Sequence, residues 1–446
     1  MIVVLAVVGW RTVRWRVVWV PVAAAFGAGG TFAARWYVDS QGLASDPAPA
    51  RLWVSVAVFV GAVAVAVLGW RGLRWWQRGL SVLAVPLSLV CVGVVLNQWV
   101  GYFPTVQAAW GAVTAGPLPD QVDVGALPAL RNTAMSSGKV VSVDTGDGGS
   151  GFKHRTEYVY LPPAWFGGDS PPQLPVIMMI AGEFNTPADW MRTGDAVETV
   201  DSYAAAHGGS APILVFVDAG GSFNNDTECV DGPRGNAADH LTNDVRPYMI
   251  STFDAASDAA NWGVVGWSMG GTCAVDLTVM HPELFGSFED IAGDLGPTAG
   301  TKEQTIDRLY GGDAAQWSRY DPTTVLAKHG RYAGVAGWFE DTAATAGRGG
   351  GGGAPYRASQ PDTAADGYGG QDHASNPDNQ GAAEDLCAAA AEQAVSCSVH
   401  TVRSGHTWQF AAGAFSDALP WMAERIGPTL PATSQAADSS STTGHA

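Results

Sequence analysis

The chain has 446 residues, of which 47% are hydrophobic and only 15% charged, and its formal net charge is −18. This length exceeds what a single hydrophobic core usually serves, so more than one structural region is expected. So negative a chain lacks the basic surface that nucleic-acid binding requires, and we exclude a nucleic-acid partner.

The charge is distributed unevenly along the chain. Residues 1–100 contain eight arginines and two aspartates, whereas residues 101–446 contain 16 basic and 40 acidic side chains. A basic, apolar head followed by an acidic body predicts a membrane anchor over residues 1–103 joined to a water-soluble domain.

Three charge-free runs in the head are long enough to cross a bilayer. They lie at roughly Val17–Ala34, Leu52–Trp70 and Leu80–Val100. Residues 1–8 are a shorter apolar piece, so the anchor has three helices or four. The arginines at 11, 14 and 16 and those at 71, 74 and 78 are placed in the cytoplasm by the positive-inside rule. The protein is therefore predicted to be a multi-pass protein of the cell membrane with its body outside the cytoplasm. Buried helices of a soluble protein are the alternative.

The cysteines agree with an oxidising compartment. Cys91 lies in the third apolar run, and the other four lie in the body. An even number there permits two disulfides. We predict the pairs Cys229–Cys273 and Cys387–Cys397, with free buried thiols as the alternative.

The body divides by composition into four segments. Residues 104–138 are rich in Pro, Gly and Ala and predict a linker with little structure. From 139 to 427, apolar runs alternate with helical segments, which predicts an α/β fold with a mainly parallel sheet. The glycine-rich stretch 342–381 is predicted to be a flexible excursion, and 428–446 a disordered tail. The predicted strands include Pro175–Ile180, Ile213–Val217, Trp262–Trp267, Phe288–Ala292, Tyr332–Phe339 and Ser396–Val402.

A G-x-S-x-G motif provides the candidate nucleophile. It runs from Gly266 to Gly270 with Ser268 at its centre. An apolar strand leads into it and a helix leaves it, as a strained turn that exposes a serine hydroxyl requires. The sequence predicts Ser268 as the nucleophile; a glycine-rich structural turn is the alternative.

A serine hydroxyl needs a base and an orienting acid. His406 follows the last predicted strand, where the chain order Ser, acid, His places the base. The alternatives to it are His400, His240 and His281. Asp341 follows the strand before it and is the predicted acid, whose role is to hold the imidazole tautomer. The alternative acids are Glu340, Asp294, Glu384 and Asp385.

The oxyanion of acyl transfer needs preorganised donors. The backbone amide of Met269, directly after the nucleophile, is one candidate, and that of Glu183, after Pro175–Ile180, is the other, with Phe184 as its alternative. We find no metal-ligand spacing and no phosphate-binding loop, so the predicted chemistry is covalent and needs no cofactor or metal.

Four segments carry a family resemblance. They are Cys229-Val-Asp-Gly-Pro-Arg-Gly-Asn, His240-Leu-Thr-Asn-Asp-Val-Arg-Pro-Tyr, Gly266 to Ala274, and His281-Pro-Glu-Leu-Phe. With them, residues 139–426 resemble the esterase D/antigen 85 branch of α/β-hydrolases, most of all its membrane-anchored actinobacterial members. The resemblance implies an α/β-hydrolase fold and a Ser–acid–His triad, and it carries Ser268 and His406 over directly. Antigen 85 proteins transfer mycolic acids to trehalose and use a helical glutamate, for which no matching segment is obvious here.

These observations favour a membrane-anchored serine esterase or acyltransferase. Its expected substrates are cell-envelope or lipid-like esters, with water or a sugar hydroxyl as acceptor, and the triad by itself does not separate hydrolysis from transfer. A non-catalytic envelope or binding protein that keeps the fold is the alternative. A transporter is disfavoured because the spans contain no ionisable residue that would mark an ion path.

Overall fold

The computed structural model describes residues 12–41, 48–72, 74–103, 105–114, 116–342 and 381–427. Residues 1–8, most of the predicted excursion (343–380) and the predicted tail (428–446) lie outside the described residues.

The head forms three helices, α1 (Val20–Gln41), α2 (Ala50–Gly69) and α3 (Trp75–Val100). A π-helical turn, Trp15–Trp19, leads directly into α1. By length and composition, the segments Trp15–Ser40, Ala50–Gly69 and Trp75–Val100 are each able to cross a membrane. Each apolar run predicted from the sequence therefore corresponds to one continuous helix, and the three helices are candidate membrane spans.

The body is built on a nine-stranded sheet flanked by helices. Its strands stand in the order β1-β2-β3-β5-β4-β8-β9-β10-β11. All pairings are parallel except those of β3, which runs antiparallel to β2 and to β5. This order, with β4 and β5 exchanged and one antiparallel strand near an edge, is that of the α/β-hydrolase fold, so the predicted fold class is confirmed. The strands of this sheet are β1 (Gln121–Val122), β2 (Lys139–Val143), β3 (Glu157–Leu161), β4 (Val176–Ile180), β5 (Ile213–Val217), β8 (Trp262–Trp267), β9 (Ser287–Ile291), β10 (Ala336–Thr342) and β11 (Ser396–Val402). Strands β6 (Asp231–Gly232) and β7 (Gly235–Asn236) form a separate antiparallel pair.

Helices cover both faces of the sheet, as a parallel sheet requires because its strands are apolar on both sides. One buried cluster joins the sheet to the helix that follows β8, and a second joins it to the helices that follow β4 and β11. The body helices are α4 (Val106–Thr114), α5 (Asp189–Arg192), α6 (Ala196–Ala206), α7 (Ala237–Asp239), α8 (Arg246–Phe253), α9 (Met269–Met280), α10 (Lys302–Tyr310), α11 (Ala314–Tyr320), α12 (Pro322–His329), α13 (Ala382–Glu392) and α14 (Trp408–Ile426).

Two sequence predictions are wrong in the body. Residues 104–138 contain the helix α4, the strand β1 and a 3₁₀ segment over Val124–Leu130, whereas little structure was predicted. Strand β1 pairs with β2 and so belongs to the sheet. The strand predicted at Tyr332–Phe339 is instead Ala336–Thr342, so Glu340 and Asp341 lie within it.

Both predicted disulfides are present. Cys229 is bonded to Cys273, and Cys387 to Cys397. The first fixes the loop after β5 to helix α9, and the second fixes α13 to β11. Cys91 is free and exposed on α3.

Candidate active site

Ser268 occupies a strained turn between strand β8 and helix α9. Its backbone has φ 59° and ψ −122°, which lies outside the left-handed helical region as well as the ordinary ones. Its amide donates to the carbonyl of Ile291 on β9, and its carbonyl accepts from the amide of Gly271. Such strain persists only where the surrounding structure imposes it, and it concentrates at functional sites.

The two glycines of the motif are required by close backbone contacts. A Cβ at Gly266 would lie 1.6 Å from the carbonyl oxygen of Gly270. A Cβ at Gly270 would lie 2.3 Å from the carbonyl oxygen of Ile180, at the end of β4. The motif is therefore the packed turn that presents Ser268, and the alternative of an ordinary glycine-rich loop does not explain these contacts.

His406 lies beside this turn. It belongs to the short loop between β11 and α14, and its ring centroid is 4.1 Å from that of Trp267, the residue before the serine. The side chain is buried, with 8% of the residue exposed. The fold thus brings the predicted base, 138 positions further along the sequence, into contact with Trp267, the residue that precedes the predicted nucleophile.

The other histidines occupy different environments. His400 lies within β11 and stacks on Trp338 with ring centroids 3.8 Å apart. His281 follows α9 and contacts Glu283 at 3.2 Å. His240 is fully buried in a polar cluster below the sheet edge. Each of these three histidines has a stacking or ion-pair partner away from Ser268, and this partner explains its position in the fold.

The predicted acids all lie on elements after β8, but in different settings. Asp341 is the penultimate residue of β10, is 7% exposed, and accepts from the amide of Thr342. Glu340 precedes it and accepts from the indole of Trp338. Because β10 and β11 are parallel neighbours, Asp341 and the His406 loop come to the same edge of the sheet. Glu384 and Asp385 are instead exposed in the first turn of α13.

The predicted oxyanion residues meet Ser268 at one cavity. Ser268, Met269 and Glu183 together line a cavity of about 30 Å³. The loop after β4 lies against the nucleophile, since a Cβ at Gly182 would be 3.1 Å from the Cβ of Ser268. Phe184, the alternative donor, has φ 66° in the same loop.

An ion pair between Arg155 and Asp218 holds the loop after β4 in place. Arg155 binds Asp218 at 2.5 Å and also donates to the carbonyl of Asn185. Although burial raises the pKa of Asp218, hydrogen bonds and charge from Arg155 outweigh it, so the pKa is lowered overall. The loop that carries Glu183 is therefore tied to the ends of β3 and β5.

Acidic side chains surround the same cavity, and sequence reasoning singled out neither Asp226 nor Glu228. Asp226, Glu228 and Asp294 line it with Glu183. Burial raises the pKa of Asp226 to about 6, although Arg234 lies 3.6 Å away and opposes the shift. Burial, and then the charge of Asp226, raises the pKa of Glu228 well above its usual value. These residues are separated by up to 111 positions, so no local motif marks them.

One group of side chains has the spacing of a metal site. Ligand atoms of His154, Glu157 and His240 lie within 4.8 Å of one another. The Glu157 carboxylate already accepts from His240, from the Thr145 hydroxyl and from the Asp218 amide. Those hydrogen bonds satisfy a buried carboxylate, which fits a structural polar network better than an empty coordination site.

The sheet order and the strained serine turn define the protein as an α/β-hydrolase. The family model described as "Putative esterase" matches residues 153–334. An uncharacterised protein of Corynebacterium glutamicum is 31% identical over 309 residues, which cover 66% of this chain and 70% of that protein. The chain belongs to this esterase family.

Solved structures to which the chain is similar include two bacterial proteins. S-formylglutathione hydrolase from Agrobacterium tumefaciens is 18% identical with a TM-score of 0.49, over 67% of this chain and 98% of the other. MPT51 of Mycobacterium tuberculosis is 16% identical with a TM-score of 0.40, over 61% of this chain and 94% of the other.

Proposed function

We propose that the protein is a membrane-anchored serine esterase or acyltransferase that works through an acyl-enzyme outside the cytoplasmic membrane. The observation that carries the proposal is the strained turn at Ser268, with His406 beside it and a cavity at its side. A strained backbone lowers the stability of the fold, and a turn with a purely structural role has no reason to contain it.

The reaction follows from these positions. The Ser268 hydroxyl attacks the ester carbonyl and His406 takes its proton. The Met269 and Glu183 amides stabilise the oxyanion of the tetrahedral intermediate. Collapse expels the alcohol, which receives the proton from His406. Water or a sugar hydroxyl then attacks the acyl-enzyme, giving up its proton to His406. As the acyl group leaves, His406 returns this proton to the Ser268 oxygen. Asp341 orients His406 and stabilises its charged form.

Membrane anchoring is supported by contacts between the head and the body. Asn224 donates to the hydroxyl of Tyr37 at 3.1 Å, and Arg308 donates to the carbonyl of Asp39 at 2.7 Å. The end of α1 that is predicted to face outward therefore touches the body. Tyr102, just after α3, packs edge-to-face on Trp408. Two disulfides in the body agree with an oxidising compartment.

The catalytic part is tested by labelling the full chain in detergent with a fluorophosphonate. We expect Ser268→Ala and His406→Ala to lose labelling, while the matched controls Ser251→Ala and His207→Ala, both at exposed helix ends, keep it. Labelling rates of Asp341→Asn, Glu340→Gln and Asp294→Asn then identify the acid as the variant with the largest loss. Folded wild-type protein that does not label would instead support the non-catalytic binding protein.

The orientation is tested by cysteine accessibility in intact cells. In a chain carrying Cys91→Ser, we expect Ser251→Cys to react with a membrane-impermeant maleimide and Gln77→Cys, in the second arginine cluster, to react only after lysis. The reverse pattern contradicts an extracytoplasmic body.

A separate assay distinguishes hydrolysis from transfer to a sugar. It measures the release of carboxylic acid from an ester substrate with and without trehalose.

A further inference from the structure

The exposed apolar side chains of the body are not spread evenly over its surface. Among the body residues that the structure describes, the most exposed large apolar side chains are those of Val106, Trp110, Val113 and Phe223, between 68% and 88%, and Val124 follows at 37%. Single exposed apolar residues are normal on soluble proteins, whereas a group on one side of a domain marks a contact surface. The four most exposed side chains belong to two elements, helix α4 and the loop after β5.

Helix α4 exposes one apolar face close to the head. Val106, Trp110 and Val113 are spaced at i, i+4 and i+7, so they lie on the same face of the helix. The helix begins six positions after Val100, the last residue of α3. Six residues of fully extended chain span at most about 22 Å. Helix α4 therefore starts close to the end of the third candidate span.

The loop after β5 brings Phe223 to the end of another candidate span. Its neighbour Asn224 donates to the hydroxyl of Tyr37, which lies in the last two turns of α1. Phe32 and Trp36 are exposed on the same part of α1. Aromatic residues at the ends of a span lie at the level of the lipid headgroups. For a chain in a bilayer, Phe223 is therefore at that level as well.

Phe223 also connects this surface to the site at Ser268. Its ring packs on that of Phe184, in the loop after β4, with ring centroids 5.4 Å apart. Glu183, the residue before Phe184, lines the cavity beside Ser268. The exposed ring thus lies next to the loop that is proposed to stabilise the oxyanion.

The composition of both elements suits lipid. Neither α4 nor residues 219–225 contain a charged side chain, although residues 101–446 contain 56 charged side chains in all, 16 basic and 40 acidic. Apolar side chains that include an aromatic ring, on a segment without charge, are favoured at the boundary between headgroups and acyl chains.

We propose that the body itself docks on the outer leaflet of the bilayer through an apolar surface that consists of the exposed face of α4 and the ring of Phe223. The inference rests on the membrane anchoring proposed above, and it adds a lipid contact that the three spans do not make. Docking turns the carboxyl edge of the sheet, where Ser268 lies, toward the lipid.

The test measures lipid contact at single dye-labelled cysteines in the full chain, reconstituted into vesicles of palmitoyl-oleoyl phosphatidylcholine. Cys91→Ser removes the free thiol, and Trp110→Cys, Phe223→Cys or Ser251→Cys then provides one site for an environment-sensitive dye. The native Cys91, exposed on α3, is labelled separately and reports insertion of the head. Each preparation is repeated with phosphatidylcholines that carry a nitroxide quencher near the headgroup or in the middle of an acyl chain.

Ser251 is the matched control because it lies toward the opposite edge of the sheet. It is exposed near the end of α8, and Ala256, which follows this helix, donates to the carbonyl of Leu174 just before β4 begins. The two edges are about 20 Å apart, because β8 has six residues and a strand rises about 3.3 Å per residue.

We expect the nitroxide near the headgroup to quench the dyes at positions 110 and 223 several-fold more than the dye at position 251, because a nitroxide quenches only a dye at or near contact. The nitroxide in the middle of the acyl chain should quench the dye on Cys91. An unchanged thermal unfolding midpoint shows that each variant is folded.

The outcomes separate this proposal from the anchoring on which it rests. Quenching at Cys91, with no more quenching at position 110 or 223 than at 251, overturns the docking and leaves the anchor intact. Blue-shifted emission at 110 and 223 without quenching reports contact with a protein surface, such as a second copy of the chain, and overturns it too. Equal quenching at all three positions also overturns it, since the contact would not be confined to one side of the body. If the dye on Cys91 is not quenched, the anchor is refuted, and the docking is refuted with it.

Discussion

The strain at Ser268 predicts that removing its side chain stabilises the protein. A non-glycine residue at φ 59° and ψ −122° costs about 1–3 kcal/mol. Ser268→Gly relieves this cost but adds about 0.5–1 kcal/mol of chain entropy lost on folding. Ser268→Ala keeps the Cβ and therefore keeps the strain. The glycine variant should thus be more stable than the alanine variant by about 0.5–2 kcal/mol.

The assay compares thermal unfolding of the two variants, followed by tryptophan fluorescence in one detergent. Because 1 kcal/mol shifts the Tm of a domain of this size by about 2–4 °C, we expect the Tm of Ser268→Gly to be higher by about 1–8 °C. Ser142 provides the control, because it is exposed in the regular strand β2, where alanine should be the more stable replacement. Equal or lower stability of Ser268→Gly would show that the turn is not strained, and the main support for a nucleophile at Ser268 would be lost.

Three further predictions follow from buried groups. Arg155→Met should destabilise the protein by about 3–5 kcal/mol, since Asp218 is 1% exposed and would lose its partner; denaturant unfolding measures this. Cys229→Ser with Cys273→Ser should cost about 2–5 kcal/mol by the same measurement. Glu289, on β9, is fully buried and its pKa is raised by that burial. Above the usual pKa of a glutamate, the Glu289 carboxyl loses its proton in the unfolded chain but keeps it in the folded protein. The free energy of unfolding therefore falls as the pH rises. Glu289→Gln should therefore stabilise more at pH 8 than at pH 5, and an equal gain at both would contradict the raised pKa.

The sequence was most informative where local chemistry decides the structure. The turn at Ser268 requires glycine at positions 266 and 270, where any Cβ would collide with backbone atoms. Both glycines belong to the five-residue motif, so the sequence alone is enough to recognise the turn. The three helices of the head follow from unbroken apolar runs, because backbone groups in a membrane must be satisfied within one helix.

Sequence patterns failed where tertiary burial overrides polarity. Strand β10 was placed four residues too early because Tyr332 looks like a strand residue and Glu340 and Asp341 do not. In the structure Tyr332 packs from a loop, donating to the carbonyl of Val279, while the two acids are buried in the strand. The composition of residues 104–138 likewise gave no indication of β1. This strand has only two residues, and it is a strand because it pairs with β2.

The acidic side chains that line the cavity beside Ser268 illustrate a different limit. Glu183, Glu228 and Asp294 belong to loops after β4, β5 and β9, and each looks like an ordinary solvated loop residue in the sequence. They meet because the carboxyl ends of parallel strands share one edge of the sheet, which is where α/β proteins place their ligands. Only the strand order brings them to Ser268, so their meeting at one cavity could not be predicted before the fold.

The same edge also connects the site to the anchor. Tyr102, which follows the third helix, contacts Trp408, and Trp408 in turn lies 6.3 Å from Trp267, next to Ser268. Two aromatic contacts therefore separate the end of the anchor from the residue beside the nucleophile. In the proposed membrane-anchored protein, the two residues between α3 and the Tyr102–Trp408 contact would hold the proposed site close to the bilayer surface. A lipid-like ester would meet the nucleophile there without first entering bulk water, whereas a freely soluble ester gains nothing from the tether.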